Sequence, residues 1–339
     1  MYISTVTEYE EKKDSQSAEE DAEPCQLPKG QTLERQPIIW QNVIGIALLH
    51  FLAIYGFATG YRDGKFWTWI WTICYGISCG YGITAGMHRL WAHRSYSAKT
   101  PLRIFLVCLY CIAGQTRTYN WIRDHRTHHK YTETVADPHD ATRGFFFSHV
   151  GWLMVKRHPA VKKYGSKIDM SDIRADPVLQ FVDKYFEIIM LSLCFFVPIL
   201  VPIYGWGEAW HLSFYATVIR YVWSLHATFT VNSVAHMWGN RPYNRTVKPT
   251  ENAIVSYFAL GEGWHNYHHS FPWDYKTAEL GAYSLNPTAA FIEFMAYLGL
   301  AYDLKTTRKE LVDRTVLKKG DGTDSLWGYK RHRNVLEKQ

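Results

Sequence analysis

The chain has 339 residues, enough for one large domain or two small ones, and is 47% hydrophobic and 16% aromatic, with 14 Trp and 23 Tyr. Aromatic enrichment of this kind suits membrane interfaces. The net charge of +6 comes without a nucleic-acid recognition motif, which argues against nucleic acid and for anionic lipid or substrate phosphates as partners. The six cysteines form no spaced framework, so neither a disulfide scaffold nor a thiolate metal site is indicated.

Residues 1–36 are polar and acidic, with Glu8, Glu10, Glu11, Glu19, Glu20, Asp21 and Glu23 and no apolar run. They read as a disordered cytosolic tail without a cleavable signal. Four segments then reach the roughly 20 apolar residues that a spanning helix needs: about 38–60, 66–87, 185–204 and 210–235. The third contains Pro198 and Pro202, which membrane helices tolerate where neighbours re-satisfy the backbone. A fifth apolar stretch, 101–113, is too short to cross and is expected to lie in the membrane surface. The region 89–184 is rich in Lys and Arg whereas the loop 205–209 has none, so both termini are expected in the cytosol. The expected fold is an all-α integral membrane protein: four transmembrane helices and a cytosolic helical cap within 37–325, followed by a C-terminal tail, 326–339.

Nine histidines carry the chemistry: His88-Arg-Leu-Trp-Ala-His93, His125-Arg-Thr-His128-His129, His265-Asn-Tyr-His268-His269, and His236, four residues after Asn232. Neutral imidazole is the commonest protein ligand for borderline metals. In each HxxHH box the three histidines share one helix face, as do Asn232 and His236. His88 and His93 lie about 140° apart on an ideal helix, so the helix is expected to fray near 89–91. The set is too large for one ion and exceeds the four ligands that satisfy zinc. Two redox metals with open positions for oxygen fit better. A single centre needs all the boxes on one side of the membrane, and four spans meet that condition. Asp124, Asp137, Glu262 and Asp274 are candidates to orient the rings. His50, His139, His149, His158, His211, His226 and His332 lack such spacing and read as structural or surface residues.

These boxes resemble those of the membrane acyl-CoA desaturases, the stearoyl-CoA desaturase family, in the style of its insect members. Gly82-Ile-Thr-Ala-Gly86, Arg143-Gly-Phe-Phe-Phe-Ser-His-Val-Gly-Trp152 and Gly261-Glu-Gly-Trp264 extend the similarity over about 37–325. The resemblance implies two Fe2+ ions on the nine histidines, with Asn232 reaching one through a water. It implies a cytosolic cap over a bent acyl tunnel in the endoplasmic reticulum membrane. O2 would be the co-substrate, with electrons from NADH through cytochrome b5 and its reductase. There is no fused HPGG haem motif, so the donor is expected to be a separate protein.

By position, Asn42, Arg123, Asp124, Lys156 and Arg157 match residues that hold the CoA headgroup of a long-chain acyl-CoA. Cations suit its phosphates. Thr116 stands where the family usually has Asn, and Phe229 where it has Trp. Gly76 and Gly80 share a face of the second span, where small residues permit close helix packing or leave room at the closed end of the tunnel. Lys248-Pro-Thr-Glu251 is nearer to delta-9 than to delta-11 signatures. The expected activity is therefore a delta-9 acyl-CoA desaturase. The alternatives are a delta-11 or other pheromone-type desaturase, a fatty-acyl hydroxylase, and a membrane zinc-binding or transport protein.

Overall fold

The computed structural model describes residues 6–9, 35–60, 62–281 and 285–323. Most of the expected N-terminal tail, the whole tail 326–339 and His332 lie outside them. Helices dominate, with two small two-stranded sheets. Helix α1 (Trp40–Gly60) lies along the last long helix, and α2 (Phe66–Tyr81) continues without a break into a π-helix, Gly82–Ala92.

Two glycines explain where that wide turn sits. A Cβ on Gly82 would lie 2.2 Å from the Tyr110 nitrogen, and one on Gly86 would lie 3.4 Å from Leu106 Cβ. Without side chains there, helix α3 (Thr100–Ala113) presses directly onto the π-helix, and every residue of the π-helix is buried. Pro101 opens α3 and Gly114, at φ +61°, closes it in the left-handed conformation that glycine adopts freely. The segment 101–113, expected in the membrane surface, turns one side to the protein core. Ile104 and Phe105 are exposed, but Leu102, Leu106, Val107, Tyr110, Cys111 and Ala113 sit in the main core. A short apolar helix can equally be a core helix, and length alone does not separate the two.

Helix α4 (Thr118–Lys130) follows, then several short cap helices, then α5 (Phe186–Trp206) and α6 (Trp210–Asn232). α5 contains a π-turn, Ser192–Phe196, with Pro198 and Pro202 beyond it. Among the described residues, α1 and α5 are long and apolar enough to cross a membrane. The second expected span is a 16-residue α-helix before its π-helical continuation, and α6 has 23 residues but carries Arg220 and two histidines. Gly56 lets α1 approach α6 closely, since a Cβ there would meet Tyr215 Cβ at 2.5 Å. Glu208, buried in the loop between α5 and α6, accepts from Lys65 N and Thr68 Oγ1 at the start of α2. That contact suits a helix N-terminus.

Strand β1 (Val6–Tyr9) corrects part of the expected disordered tail, because it pairs in parallel with β4 (Leu304–Thr307). An open strand edge recruits a short segment containing β-forming residues wherever backbone groups are free to pair. Strands β2 (Ser97–Ala98) and β3 (Ala301–Tyr302) pair antiparallel and hold the C-terminal region against the end of the π-helix.

Candidate metal centre

The π-helix supplies the first pair of histidines. His93 N donates to His88 O at 3.0 Å, an i to i+5 bond that places residues five apart on one face. Fraying near 89–91 is not observed; widening of the helix does the work instead. α4 presents His125, His128 and His129, and its first two amides, Thr118 N and Tyr119 N, are capped by the Asp183 carboxylate at 2.8 and 3.0 Å. α6 stops at Asn232, Ser233 breaks the helix, and His236 sits on a new turn, Val234–Met237. Asn232 and His236 therefore do not share a continuous helix. The last box forms its own short helix, His265–Ser270.

These elements gather all nine histidines into two groups. His88, His93, His125, His129 and His268 form one, and His128, His236, His265 and His269 form the other. Within the first, Nε2 atoms face one another at 2.8 Å (His93–His125), 2.9 Å (His88–His268) and 3.0 Å (His129–His268). In the second, His236–His265 is 3.0 Å and His265–His269 is 3.1 Å. Two nitrogens bound at about 2.1 Å to one ion, at right angles, lie about 3.0 Å apart. The donor set thus fits two metal ions. Burial, and the other histidines nearby, hold His93, His125, His129, His265, His268 and His269 well below the usual imidazole pKa. Burial holds His236 down at about 3. Neutral rings are the metal-binding form.

Carboxylates stand behind the rings. His88 Nδ1 lies 2.8 Å from Glu262 Oε2, and His128 Nδ1 lies 2.9 Å from Asp137 Oδ1. Burial opposes charge on His128, yet the Asp137 carboxylate outweighs it and raises the imidazole pKa. Two of the four expected acids therefore hold histidines of the two groups. The others do not: Asp124 pairs with arginines, and Asp274 accepts from Tyr267 Oη and Thr307 N. Sequence reasoning missed Glu133, whose Oε1 lies 3.5 Å from His236 Nδ1 and whose pKa burial lifts to about 7. It also missed Arg89, fully buried, which fixes Glu262 from behind at 3.0 Å. A buried arginine inside a histidine box was the available signal.

A cavity of about 620 Å³ runs from these groups into the helices. His88, His125, His128, His265 and Asn232 line it, together with His139, which burial holds down at about 4. The remainder is mostly apolar, with Gly76, Gly80, Ile77 and Ile83 from the α2 side and Ile219, Trp223 and Ala227 from α6. Gly76 and Gly80 are on its wall, as expected, but they do not close it. The lining continues to Thr72 and Trp69, about 10 Å further along the helix at 1.5 Å per residue. His50, His226 and His149 stand outside both metal groups, joined in a hydrogen-bonded row at 2.8 Å each and ending on Ser233 Oγ.

The fatty acid desaturase family model matches residues 64–284, more than half the chain. This protein belongs to that family. Similar curated proteins include an acyl-CoA Delta-9 desaturase of Acheta domesticus, 50% identical over 93% of this chain and 87% of that protein. An acyl-CoA Delta(11) desaturase of Spodoptera littoralis is 48% identical over 86% of each chain. Human stearoyl-CoA desaturase is 50% identical over 84% of this chain and 79% of its own.

In this desaturase the five expected headgroup residues lie together at the foot of α1. Asp124 accepts from Arg123 Nη2 at 2.8 Å and Arg157 Nη1 at 2.7 Å. Asn42 Nδ2 donates to Leu153 O at 2.7 Å, and Lys156 N to Pro37 O at 2.8 Å. Thr116 and Phe229 are not among the cavity's lining residues. The Thr116 carbonyl accepts from Tyr110 Oη, and buried Phe229 packs against His149 and Trp152. Lys248-Pro-Thr-Glu251 is a scaffold: Thr250 N binds Ala235 O at 2.7 Å, and Glu251 Oε1 accepts from Tyr267 N at 2.7 Å. It ties His236 to the last box.

Proposed function

We propose that this protein is an acyl-CoA desaturase of the endoplasmic reticulum membrane that binds two irons and places a double bond at delta-9 of a saturated long-chain acyl-CoA. One observation carries the reading: a largely apolar cavity whose wall includes His88, His125, His128 and His265, members of both histidine groups. Apolar pockets with a few convergent polar groups are the usual form of a ligand site, and a five-nitrogen group exceeds tetrahedral zinc. The relatives' names and Lys248-Pro-Thr-Glu251 support the substrate class and position.

The bound irons would supply the activation of O2 and the removal of two hydrogens from adjacent methylenes. The protein's part is placement. Arg123, Lys156 and Arg157 would neutralise CoA phosphates, and Asn42 and Asp124 would hold its polar atoms. Trp121 and His125 from α4 and Ile83 and Thr84 from the π-helix face the chain where it passes the metals. All methylenes of the chain are alike, so fixed geometry must select among them. Asp137, Glu262 and Glu133 face Nδ1 of His128, His88 and His236 and would leave Nε2 of each ring free to hold a metal. Asn232, on the cavity wall, is proposed to reach one iron through a water. Four spans with both termini and the histidines cytosolic keep every ligand on one side of the bilayer, within reach of separate cytochrome b5 and its reductase.

Expression in a desaturase-deficient yeast, with mass spectrometry of derivatised fatty acids, tests the proposal. A delta-9 monounsaturated product is expected. Double bonds at delta-11 would reassign the position, hydroxylated chains would replace the reaction, and no modified chains would end the reading.

A further inference from the structure

Arg220 sits in the middle of α6 and is only 2% exposed. A charged side chain within a spanning helix is costly, and its presence ordinarily marks function. Its partners here are two backbone carbonyls and the Cys194 thiol, which accepts from Nη2 at 3.4 Å. Nη1 donates to Ile112 O at 3.1 Å, and Nη2 donates to Cys194 O at 2.7 Å. The guanidinium carbon lies 5.5 Å from the centre of the Tyr75 ring. The Tyr75 hydroxyl donates to Leu193 O at 2.7 Å, so two neighbouring helices hold successive carbonyls of the π-turn in α5.

The second anchor is as informative. Ile112 belongs to the last turn of α3, whose free carbonyls form the negative end of the helix dipole and attract a cation. Beyond it Gly114 turns the chain, and four residues, 114–117, lead into α4 with His125, His128 and His129. Gly114 has no room for a side chain against Cys194 Sγ, which a Cβ would meet at 2.6 Å, and its carbonyl accepts from Tyr221 Oη, next to Arg220. Arg220 also faces the cavity, where a methyl group added at Gly76 would lie 3.4 Å from its Cγ. One side chain thus joins the cavity wall, the π-turn of α5 and the end of α3, which leads into the histidine helix.

We propose that Arg220 is a positioning residue for the acyl chain. It fixes the middle of the cavity wall relative to the histidine groups, and so sets which methylene is presented to them. The inference rests on the acyl-chain reading of the cavity given above. Its physical basis is that neighbouring methylenes differ only in place, so selectivity depends on how rigidly the wall is referenced to the metal ligands.

The test uses the full chain in desaturase-deficient yeast, comparing wild type, Arg220→Met and Arg220→Lys at matched amounts of monodisperse protein extracted in detergent. The readout is the position of each double bond and the distribution of product chain lengths, which a change in folding alone does not move. Arg220→Met is expected to make a second positional isomer amounting to about a tenth or more of product, equivalent to a barrier gap of about 1.4 kcal/mol or less between positions. Arg220→Lys, which can reach one carbonyl but not both, is expected to fall between that and wild type. An unchanged isomer and chain-length profile in a folded variant, at any rate of turnover, overturns the proposal. If Arg220→Met does not fold, Arg220→Lys decides by the same criterion. If neither folds, Arg220 serves the fold and the proposal is overturned. Absence of unsaturated product from the wild type would instead refute the functional reading itself.

Discussion

Alanine in place of His128, His129 or His268 is expected to abolish desaturation while leaving the chain in the membrane. His129 and His268 belong to the five-histidine group and His128 to the four-histidine group, so the three substitutions probe both. Each removes a nitrogen from a cluster whose members lie about 3 Å apart. His128→Ala also strips Asp137 of its imidazole partner, leaving a buried carboxylate whose pKa the pair holds at about 2 against burial. Loss of a residue that merely orients a ligand costs 10–100-fold in metal affinity or activity, so loss of a ligand should cost at least as much. Turnover assayed in isolated membranes, with immunodetection of the chain, checks this. Activity above about a tenth of wild type in all three would defeat the two-metal assignment.

Gly82→Ala is expected to have the largest effect on folding. The added methyl carbon would sit 2.2 Å from Tyr110 N, 2.4 Å from Leu109 C and 2.7 Å from Tyr110 Cα. All three are backbone atoms in the core of α3, so no side-chain rotation relieves the clash. Either α3 moves off the π-helix or the π-helix unwinds, and His88 and His93 move with it. The destabilisation should exceed about 4 kcal/mol, the range reserved for gross core damage. Gly45→Ala in α1 is the control, because nothing lies within 4 Å of its added carbon. Thermal unfolding in detergent should separate the two; a Gly82→Ala midpoint within about 2 °C of wild type would contradict the packing.

The clustering of the histidines was legible because helical spacing and residue type coincide: the two HxxHH boxes each present their rings together on a helix face. The His88 and His93 spacing announced a departure from the α-helix but not its form. The π-helix depends on α3 pressing against Gly82 and Gly86, contacts between residues 20 to 28 apart in sequence. Asp137 and Glu262 could be nominated because each lies near a box in sequence. Glu133 lies nearer still to the second box, but the ring it meets is His236, over a hundred residues on, and proximity to a box does not reveal that pairing. The glycines on the cavity wall were readable from their four-residue spacing, whereas the reach of the cavity past Gly76 depends on what α6 and the cap contribute. The short apolar helix was legible in its length but not in the side it turns to the core, since hydropathy does not distinguish lipid from protein interior. β1 was hidden by the acidic residues around it and by a partner strand almost 300 residues away.

The central claim is that nine histidines hold two irons at the end of an acyl cavity, and metal content is its most direct test. Chain purified in mild detergent from cells supplied with iron should contain two irons per polypeptide, with the stoichiometry falling in parallel with activity in His129→Ala and His128→Ala. Active protein that carries zinc in place of iron, or a single metal ion per chain, would contradict the account.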